Sequence, residues 1–436
     1  MKHGNAMVAV RILVAVALVA ACSAESDRAS NQAEAWLDDV WRIVAESHYD
    51  PELHGLDWTA VGRAYREQLR VAGPDRSTEI INAMLQELND SHCGFGLPAD
   101  LAEVASPYVF CASELGIDLR MIGGRAVVTA VDAGSPAAQG GMLPGFVLLA
   151  VNGRTIEEIV NSAVLRAPHN EANRLFHETE AVLRRLCGEP HTTVDLAILD
   201  GGDNRRSVTL ARAQRSGGFI LDPSLPEIFV EVEHRLLDGG ICYVRFSAFR
   251  PDVPHDVLAA IDECPDQAPM LLDLRGNNGG STEATAQILS RFVRRPSLAY
   301  TRAGRGHEIP IVVEPAATRH EGPVVILVDE LSISAAENLP GIMQHLEIAK
   351  VVGRRTPGQV LWGEGRALEG GATVFVPTAK LVYPDGRDLE GIGVTPDVTV
   401  ALSREDLLSG IDTQMRAAVD LLRSMRDGDS TGIEGG

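Results

Sequence analysis

The sequence predicts a multidomain α+β protein with a helical N-terminal domain, a β-rich middle part and an α/β core. Three observations predict it. Apolar residues recur at helical spacing through residues 34–105, and short strand-like runs bounded by turn signals fill residues 112–212. From residue 213 onwards, short apolar runs are followed by helical patterns. The clearest is Val324–Val328, followed by Leu339, Ile342, Met343 and Leu346 at i, i+3, i+4, i+7. A short, wholly apolar strand feeding a helix marks a buried parallel strand. A chain of 436 residues, 45% hydrophobic, has the material for several cores, and a net charge of −21 argues against a nucleic-acid-binding surface.

The N-terminus reads as a processing signal. Lys2 and Arg11 precede the apolar stretch Ile12–Ala21, and Val19-Ala20-Ala21-Cys22 follows. The stretch is too short to span a membrane as a mature helix. It resembles a bacterial lipoprotein signal, which implies a signal peptide over 1–21, lipid on the Cys22 thiol and a mature protein on the periplasmic side of a membrane. Ser23 follows Cys22, with no Asp there to signal inner-membrane retention, so the expectation is the outer membrane. Residues 22–33 are small and polar and read as a tether.

Helices are then expected around Leu37, Val40, Trp41 and Val44, around Trp58, Val61, Tyr65 and Leu69 with Asp57 as cap, and around Ile80, Ile81, Met84, Leu85 and Leu88. Asp90-Ser91-His92 lies just beyond the last turn. Besides Cys22 there are Cys93, Cys111, Cys187, Cys242 and Cys264, an odd number that leaves at least one unpaired. Most are expected to be buried small apolar residues. No Cys/His spacing points to a metal site, and neither metal nor cofactor is expected.

In the middle part, strands are expected at Leu115–Met121, Ala126–Val131, Phe146–Val151, Val194–Leu199 and Ser207–Leu210. Asp200-Gly201-Gly202-Asp203 turns the last two into a hairpin. The run ELGIDL followed by GSPAAQGGMLPGFVLLAVNG resembles a PDZ domain, which implies that Leu115-Gly116-Ile117 forms a loop receiving a peptide's terminal carboxylate. Phe146, where that family usually has Asp, and a long helical stretch over Ile156–Leu186 depart from the pattern.

The core, residues 213–425, carries expected strands at Ile241–Phe246, Met270–Leu274, Val324–Val328 and Val351–Val352, a strand-like stretch over 371–386 and a terminal helix over Arg404–Met425. A disordered tail over 426–436 closes the chain. In LLDLRGNNGG an apolar strand runs into a Gly pair, where the backbone can approach a ligand and present free N–H groups. Ligands of open α/β sheets bind at the carboxyl ends of strands. Ser334 follows a second strand of that kind, where it is either a helix N-cap or a reactive hydroxyl facing free helix-start N–H groups. Pro340 should kink the helix after it, and Glu337 reads as an early-turn Glu favoured by the helix dipole.

DLRGNNGG, VDELSISAAEN, VVGRRTPGQ and DLEGIGVTPD occur in that order. With the PDZ-like part and the helical domain ending in DSH, they resemble the C-terminal-processing (tail-specific) serine peptidase family over roughly residues 34–402. The resemblance implies a core of the ClpP/crotonase-like type, with Ser334 as nucleophile rather than Ser332. It implies an oxyanion hole from Ala335 and Gly279 or Gly280. Most bacterial members use a Lys in T-x-G-K as base, but here the block is Thr356-Pro357-Gly358-Gln359. A neutral amide cannot take the proton. A branch similar to the tricorn protease core uses Ser–His–Ser–Glu instead, which corresponds to Ser334, His92, Ser91 and Glu390. The implied activity is hydrolysis of peptide or protein substrates through a Ser334 acyl-enzyme, with the active form appearing over roughly pH 6–7. The alternative is a catalytically degenerate lipoprotein that uses the same fold as a binding or scaffold module.

Overall fold

The structure is a computed structural model that describes residues 27–97, 111–163, 170–216, 229–250 and 254–430. The expected signal peptide, Cys22 and the first part of the tether lie outside the described residues. The chain forms two compact units, one of Met1–Pro98 with Gly363–Thr378 and one of Ala99–Trp362 with Ala379–Gly436.

In the first unit a helix covers residues 27–47, followed by helices Trp58–Ala72 and Ser77–Gln86. Asp57 caps the second helix by accepting the Ala60 N–H at 2.9 Å. Leu37, Val40, Val44, Ile81, Met84 and Leu85 are fully buried and share a core with Phe95, Val374 and Val376. Two expectations change here. Residues 27–33 are helix rather than tether. Ala33 is buried and begins the same stripe as Leu37, Val40 and Val44, while the polar residues before it carry no period by which to read a helix. The domain is also not purely helical, because strand Gly94–Gly96 pairs antiparallel with Thr373–Phe375. That partner comes from far along the chain, beyond the reach of any local pattern.

The second unit is built on a sheet in the order Val232–Leu237, Ile241–Phe246, Met270–Asp273, Val324–Val328, Ala349–Gly353, Val398–Thr399. The first pair is antiparallel and the rest are parallel. Alternate residues of each strand face opposite sides. Val244, Leu272, Val324, Ile326 and Val351 pack with helices Pro254–Asp262, Thr282–Leu289 and Ala335–His345. Tyr243, Leu271, Val325, Leu327 and Val352 pack with Ala418 and Leu422 of helix Thr413–Ser430. Burial on both faces explains the unbroken apolar run Val324–Val328, each of whose side chains contributes about 1.5–3 kcal/mol.

The expected helix over 404–425 is two helices, Arg404–Leu408 and Thr413–Ser430. Gly410, at φ 75°, breaks the run, and the Asp412 carboxylate restarts it by accepting the Met415 N–H at 3.0 Å. Helix continues to Ser430, past the expected start of the tail at 426. Residues 431–436 lie outside the described residues.

The β-rich part of this unit is an antiparallel sheet in the order Ile117–Ile122, Arg125–Val131, Val147–Val151, Thr193–Leu199, Arg205–Ala211. In the hairpin between the last two, Asp200 Oδ1 accepts the N–H groups of Gly202 and Asn204. The long helical stretch is resolved as Ile156–Ala163 and Glu171–Leu186. Phe146 is buried in the core of this part, so the departure from the PDZ pattern fills volume rather than facing solvent.

Four of the cysteines are paired rather than merely buried, as Cys111–Cys187 and Cys242–Cys264, and Cys93 belongs to neither bridge. The first bridge closes a loop with a sequence separation of 76, which restricts the unfolded chain strongly. Cys111→Ala is expected to destabilise the protein by about 2–5 kcal/mol in urea unfolding. Equal midpoints for variant and parent would show that the bridge contributes nothing.

Candidate active site

The strand Val324–Val328 ends in a turn whose polar groups are almost all committed. Asp329 Oδ1 accepts the N–H groups of Gly276 and Leu331, and Asp329 Oδ2 accepts from the Arg120 guanidinium at 2.7 Å. Ser332 is fully buried, donates its hydroxyl to the Leu274 carbonyl at 2.8 Å and accepts the Asp329 N–H at 3.0 Å. Its hydroxyl is a structural bolt. Ser334 is half-buried and occupies the N-cap position of helix Ala335–His345, with φ 58° and ψ −117°. A left-handed φ at a residue with a Cβ costs about 1–3 kcal/mol and persists only where its surroundings impose it.

Those surroundings are the Glu337 carboxylate. It is fully buried and accepts four hydrogen bonds, from Thr356 Oγ1 at 2.5 Å, Gly358 N–H at 2.7 Å, Gln359 N–H at 2.8 Å and Ser334 N–H at 3.2 Å. The Ser334 N–H also donates to the Gln359 carbonyl at 2.9 Å. Burial pushes the Glu337 carboxyl up to about 7, against the pull of these donors. Glu337 is therefore more than an early-turn Glu at a helix dipole. Its place in the S-x-S-A-A-E block was the available signal, but the donors around it come from a loop some twenty residues downstream.

Gly279 packs directly against the Ser334 turn. A Cβ there would lie 2.6 Å from both Ser334 Cβ and the Ile333 carbonyl oxygen, and 2.9 Å from the Ala335 nitrogen. The Gly279 N–H donates to Asn277 Oδ1 at 2.9 Å, so it is already occupied. Asn277 is itself fully buried, donates to the Phe246 carbonyl and accepts the Ile333 N–H on its own carbonyl. Among the described residues the N–H groups of Gly280 and Ala335 donate to no protein acceptor.

Glu390 is half-buried and accepts the Val360 N–H at 2.9 Å. Its turn packs on the Gln359 loop through the Gly391 N–H to Gly358 carbonyl bond at 2.8 Å. Asn170, the cap of helix Glu171–Leu186, ties both loops by donating to the Pro357 and Gly391 carbonyls. Lys350 is exposed at the surface, where it pairs with Asp397 at 3.1 Å.

Ser91 and His92 belong to the first unit and the other expected site residues to the second. Ser91 Oγ lies 2.9 Å from His92 Nδ1. With the ring hydrogen on Nδ1 donating to Ser91, the Nε2 lone pair is left to accept a proton. His92 holds φ 56°, and burial pushes its imidazole down to about 4. Leu115, Gly116 and Ile117 line a cavity of about 240 Å³ that Leu183, Arg245 and Arg275 also line.

Residues 240–400 match peptidase family S41, residues 127–176 match the PDZ domain and residues 31–85 match the tricorn protease C1 domain. A carboxyl-terminal-processing protease of Synechocystis is 27% identical over 88% of this chain and 85% of its own length. Carboxyl-terminal-processing peptidase 3 of Arabidopsis thaliana, a chloroplast protein, is 26% identical over 89% of this chain and 73% of its own. The solved photosystem II D1 C-terminal processing protease shares the fold, with a TM-score of 0.55 over 88% of this chain and 98% of its own at 22% identity.

Two substitutions test the turn. Glu337→Gln places an amide N–H₂ among donors, so it is expected to cost about 1–3 kcal/mol in urea unfolding. Displacement of Ser334 should also lower kcat about 100-fold. Ser334→Gly is expected to be more stable than Ser334→Ala by about 1 kcal/mol, because glycine relieves the left-handed strain. Equal stability of the two would show that the turn is not strained.

Proposed function

The chain carries a serine-peptidase domain of family S41, and from that premise we propose that it hydrolyses peptide or protein substrates through Ser334, with His92 as general base. The observation that carries this reading is the turn at Ser334. A serine is held at a left-handed φ by a buried carboxylate, with the Gly-rich loop packed on its Cβ and unused N–H groups at Ala335 and Gly280.

Ser334 Oγ attacks the scissile carbonyl carbon while His92 Nε2 takes its proton. Ala335 and Gly280 N–H groups stabilise the oxyanion, a role in which one donor is worth roughly 10²–10³ in rate. Gly279 supplies close approach rather than a donor. The imidazolium then protonates the leaving amine, and water, activated by the same imidazole, releases the acyl group and restores Ser334. Ser91 fixes the ring tautomer, and Glu390 stabilises the imidazolium. Gln359 contributes its backbone alone to the nucleophile turn.

The PDZ-like part presents the substrate's C-terminal segment through Leu115-Gly116-Ile117. The protein acts outside the cytoplasm as a Cys22-anchored lipoprotein, a reading that two disulfides favour.

Purified Ser334→Ala and His92→Ala are each expected to lose nearly all peptide hydrolysis, the double variant losing little more. Fluorophosphonate should label Ser334 in the parent and not in His92→Ala. A folded His92→Ala that hydrolyses peptide at the parental rate would sink the assignment.

The pH profile gives a second test. Below its pKa His92 is protonated and cannot accept a proton, so kcat/KM should fall completely as pH drops through about 4. This lies below the ordinary His value of about 6.5 because the ring is desolvated. An earlier, partial fall through about 7 is expected from protonation of Glu337, and Glu337→Gln should remove that step. A limb in the lysine range would instead point to an amine base.

A further inference from the structure

The first unit contains a second cluster of chemistry-bearing side chains, and none of it takes part in the steps above. His48 Nε2 lies 2.7 Å from Asp90 Oδ2, and His54 Nε2 lies 2.9 Å from the same oxygen. The potential ligand atoms all lie within 4.8 Å of one another. His48 and Asp90 are buried, while the His54 side chain is 38% exposed, so the cluster has one side open to solvent.

The second nitrogen of each ring is also held. His48 Nδ1 lies 3.1 Å from the Asp50 carbonyl oxygen and 3.2 Å from the Asp50 nitrogen, and His54 Nδ1 faces Asp50 Oδ2 at 3.2 Å. Asp50 is fixed in turn, because its carboxylate accepts the N–H groups of Glu52 and His54. Tyr49 donates its hydroxyl to Asp90 Oδ1 at 3.3 Å.

This arrangement leaves a problem at His54. Both of its ring nitrogens point at carboxylate oxygens, yet a neutral imidazole has one N–H to offer. One contact then sets a nitrogen lone pair against an anionic oxygen unless a positive charge lies between them. The backbone is bent to create the contact. Leu53, His54 and Gly55 hold φ values of 47°, 57° and 79°, three left-handed residues in succession, two of them with a Cβ. Strain of that kind collects at ligand clamps.

We propose that His48 Nε2, His54 Nε2 and the Asp90 carboxylate bind a divalent first-row transition metal ion of the zinc class. Two imidazole nitrogens and one carboxylate are a recurrent zinc donor set with a fourth position left for water. The rest of the cluster is the outer shell such a site requires. With metal on both Nε2 atoms, the His48 Nδ1–H turns to the Asp50 carbonyl rather than Nδ1 accepting the Asp50 N–H, and the Asp50 carboxylate receives the His54 Nδ1–H, a carboxylate–histidine–metal arrangement. With metal–ligand bonds of about 2.0–2.1 Å, tetrahedral ligand atoms stand about 3.4 Å apart. The 2.7 and 2.9 Å contacts therefore need to open by well under 1 Å to admit the ion.

Asp90 immediately precedes Ser91 and His92, and Asn89 and His92, on either side of Asp90 and Ser91, hold left-handed φ values. The ion would cross-link the 48–54 segment to the loop that carries the base. That consequence rests on the role given to His92 above, whereas metal binding itself does not. No spacing rule finds this site from sequence, because Asp90 lies 42 residues from His48 and 36 from His54.

The test uses the full chain carrying Ser334→Ala, stripped with chelator and titrated with Zn²⁺ alone in a calorimeter. One ion per chain is expected, with a rise in Tm on binding. His54→Asn should weaken binding by about 100-fold or more and abolish the Tm shift, and Asp50→Asn should weaken binding about 10–100-fold. Asparagine is chosen at position 54 because it tolerates the left-handed backbone. Co²⁺ in place of Zn²⁺ should give the visible bands of a four-coordinate ion in the otherwise unsubstituted chain, a readout independent of any variant's folding and of peptidase activity. Zinc bound no more tightly than by His54→Asn, with no such bands, would overturn the proposal and leave a proton as the bridging charge.

Discussion

A carboxylate with no access to water must have its charge matched by donors, and Glu337 is such a group. Its four hydrogen bonds come from the Ser334 turn and from the 356–359 loop, so the positions of those segments are fixed by the need to satisfy one buried charge. The consequences extend outward. The Gln359 carbonyl receives the Ser334 N–H, the next residue, Val360, donates to Glu390, and the Gly391 N–H closes on Gly358. Without that charge the left-handed backbone of Ser334 would have little to hold it, since the local preference of a serine is for ordinary N-cap geometry.

Around this centre the second unit separates apolar rigidity from polar positioning. The sheet is buried on both faces and supplies no functional group of its own. The loops at the carboxyl ends of its strands carry Gly279, Gly280, Ser334 and Gln359, as expected of an open parallel sheet. Asn277, Asp329 and Ser332 are polar, buried and hydrogen-bonded, and each joins two loops rather than two strands. The Arg120–Asp329 pair joins the β-rich part to the same turn. A buried pair of this kind is weak evidence for stability, because desolvation offsets most of its attraction. Its evident effect is to specify the register between strand Ile117–Ile122 and the turn after Val328.

His92 shows what desolvation does to a histidine. Desolvation disfavours the imidazolium and so keeps His92 neutral and ready to accept a proton at ordinary pH. The same desolvation makes it a weaker base, so the role proposed for it calls for a carboxylate partner to its cation. The sequence alone led to the ordinary histidine range, because no residue pattern reveals how much water a ring has lost.

Sequence patterns determined the elements with a strong local period. Val324–Val328 and Ile241–Phe246 were legible to the residue, and the Asp57 cap and the hairpin at 200–203 followed from side-chain chemistry within a few positions. Motif order pointed to Ser334 over Ser332, whose hydroxyl is taken up by the Leu274 carbonyl and the Asp329 N–H. Tertiary structure alone decided what depends on partners distant in the chain. It paired Gly94–Gly96 with Thr373–Phe375, bridged Cys111 to Cys187, occupied the Gly279 N–H with Asn277 and gathered four donors on Glu337. It also brought His48 and His54 onto Asp90. Periodicity and capping act over one or two turns of chain, whereas a buried polar group is satisfied by whatever the fold brings within about 3 Å.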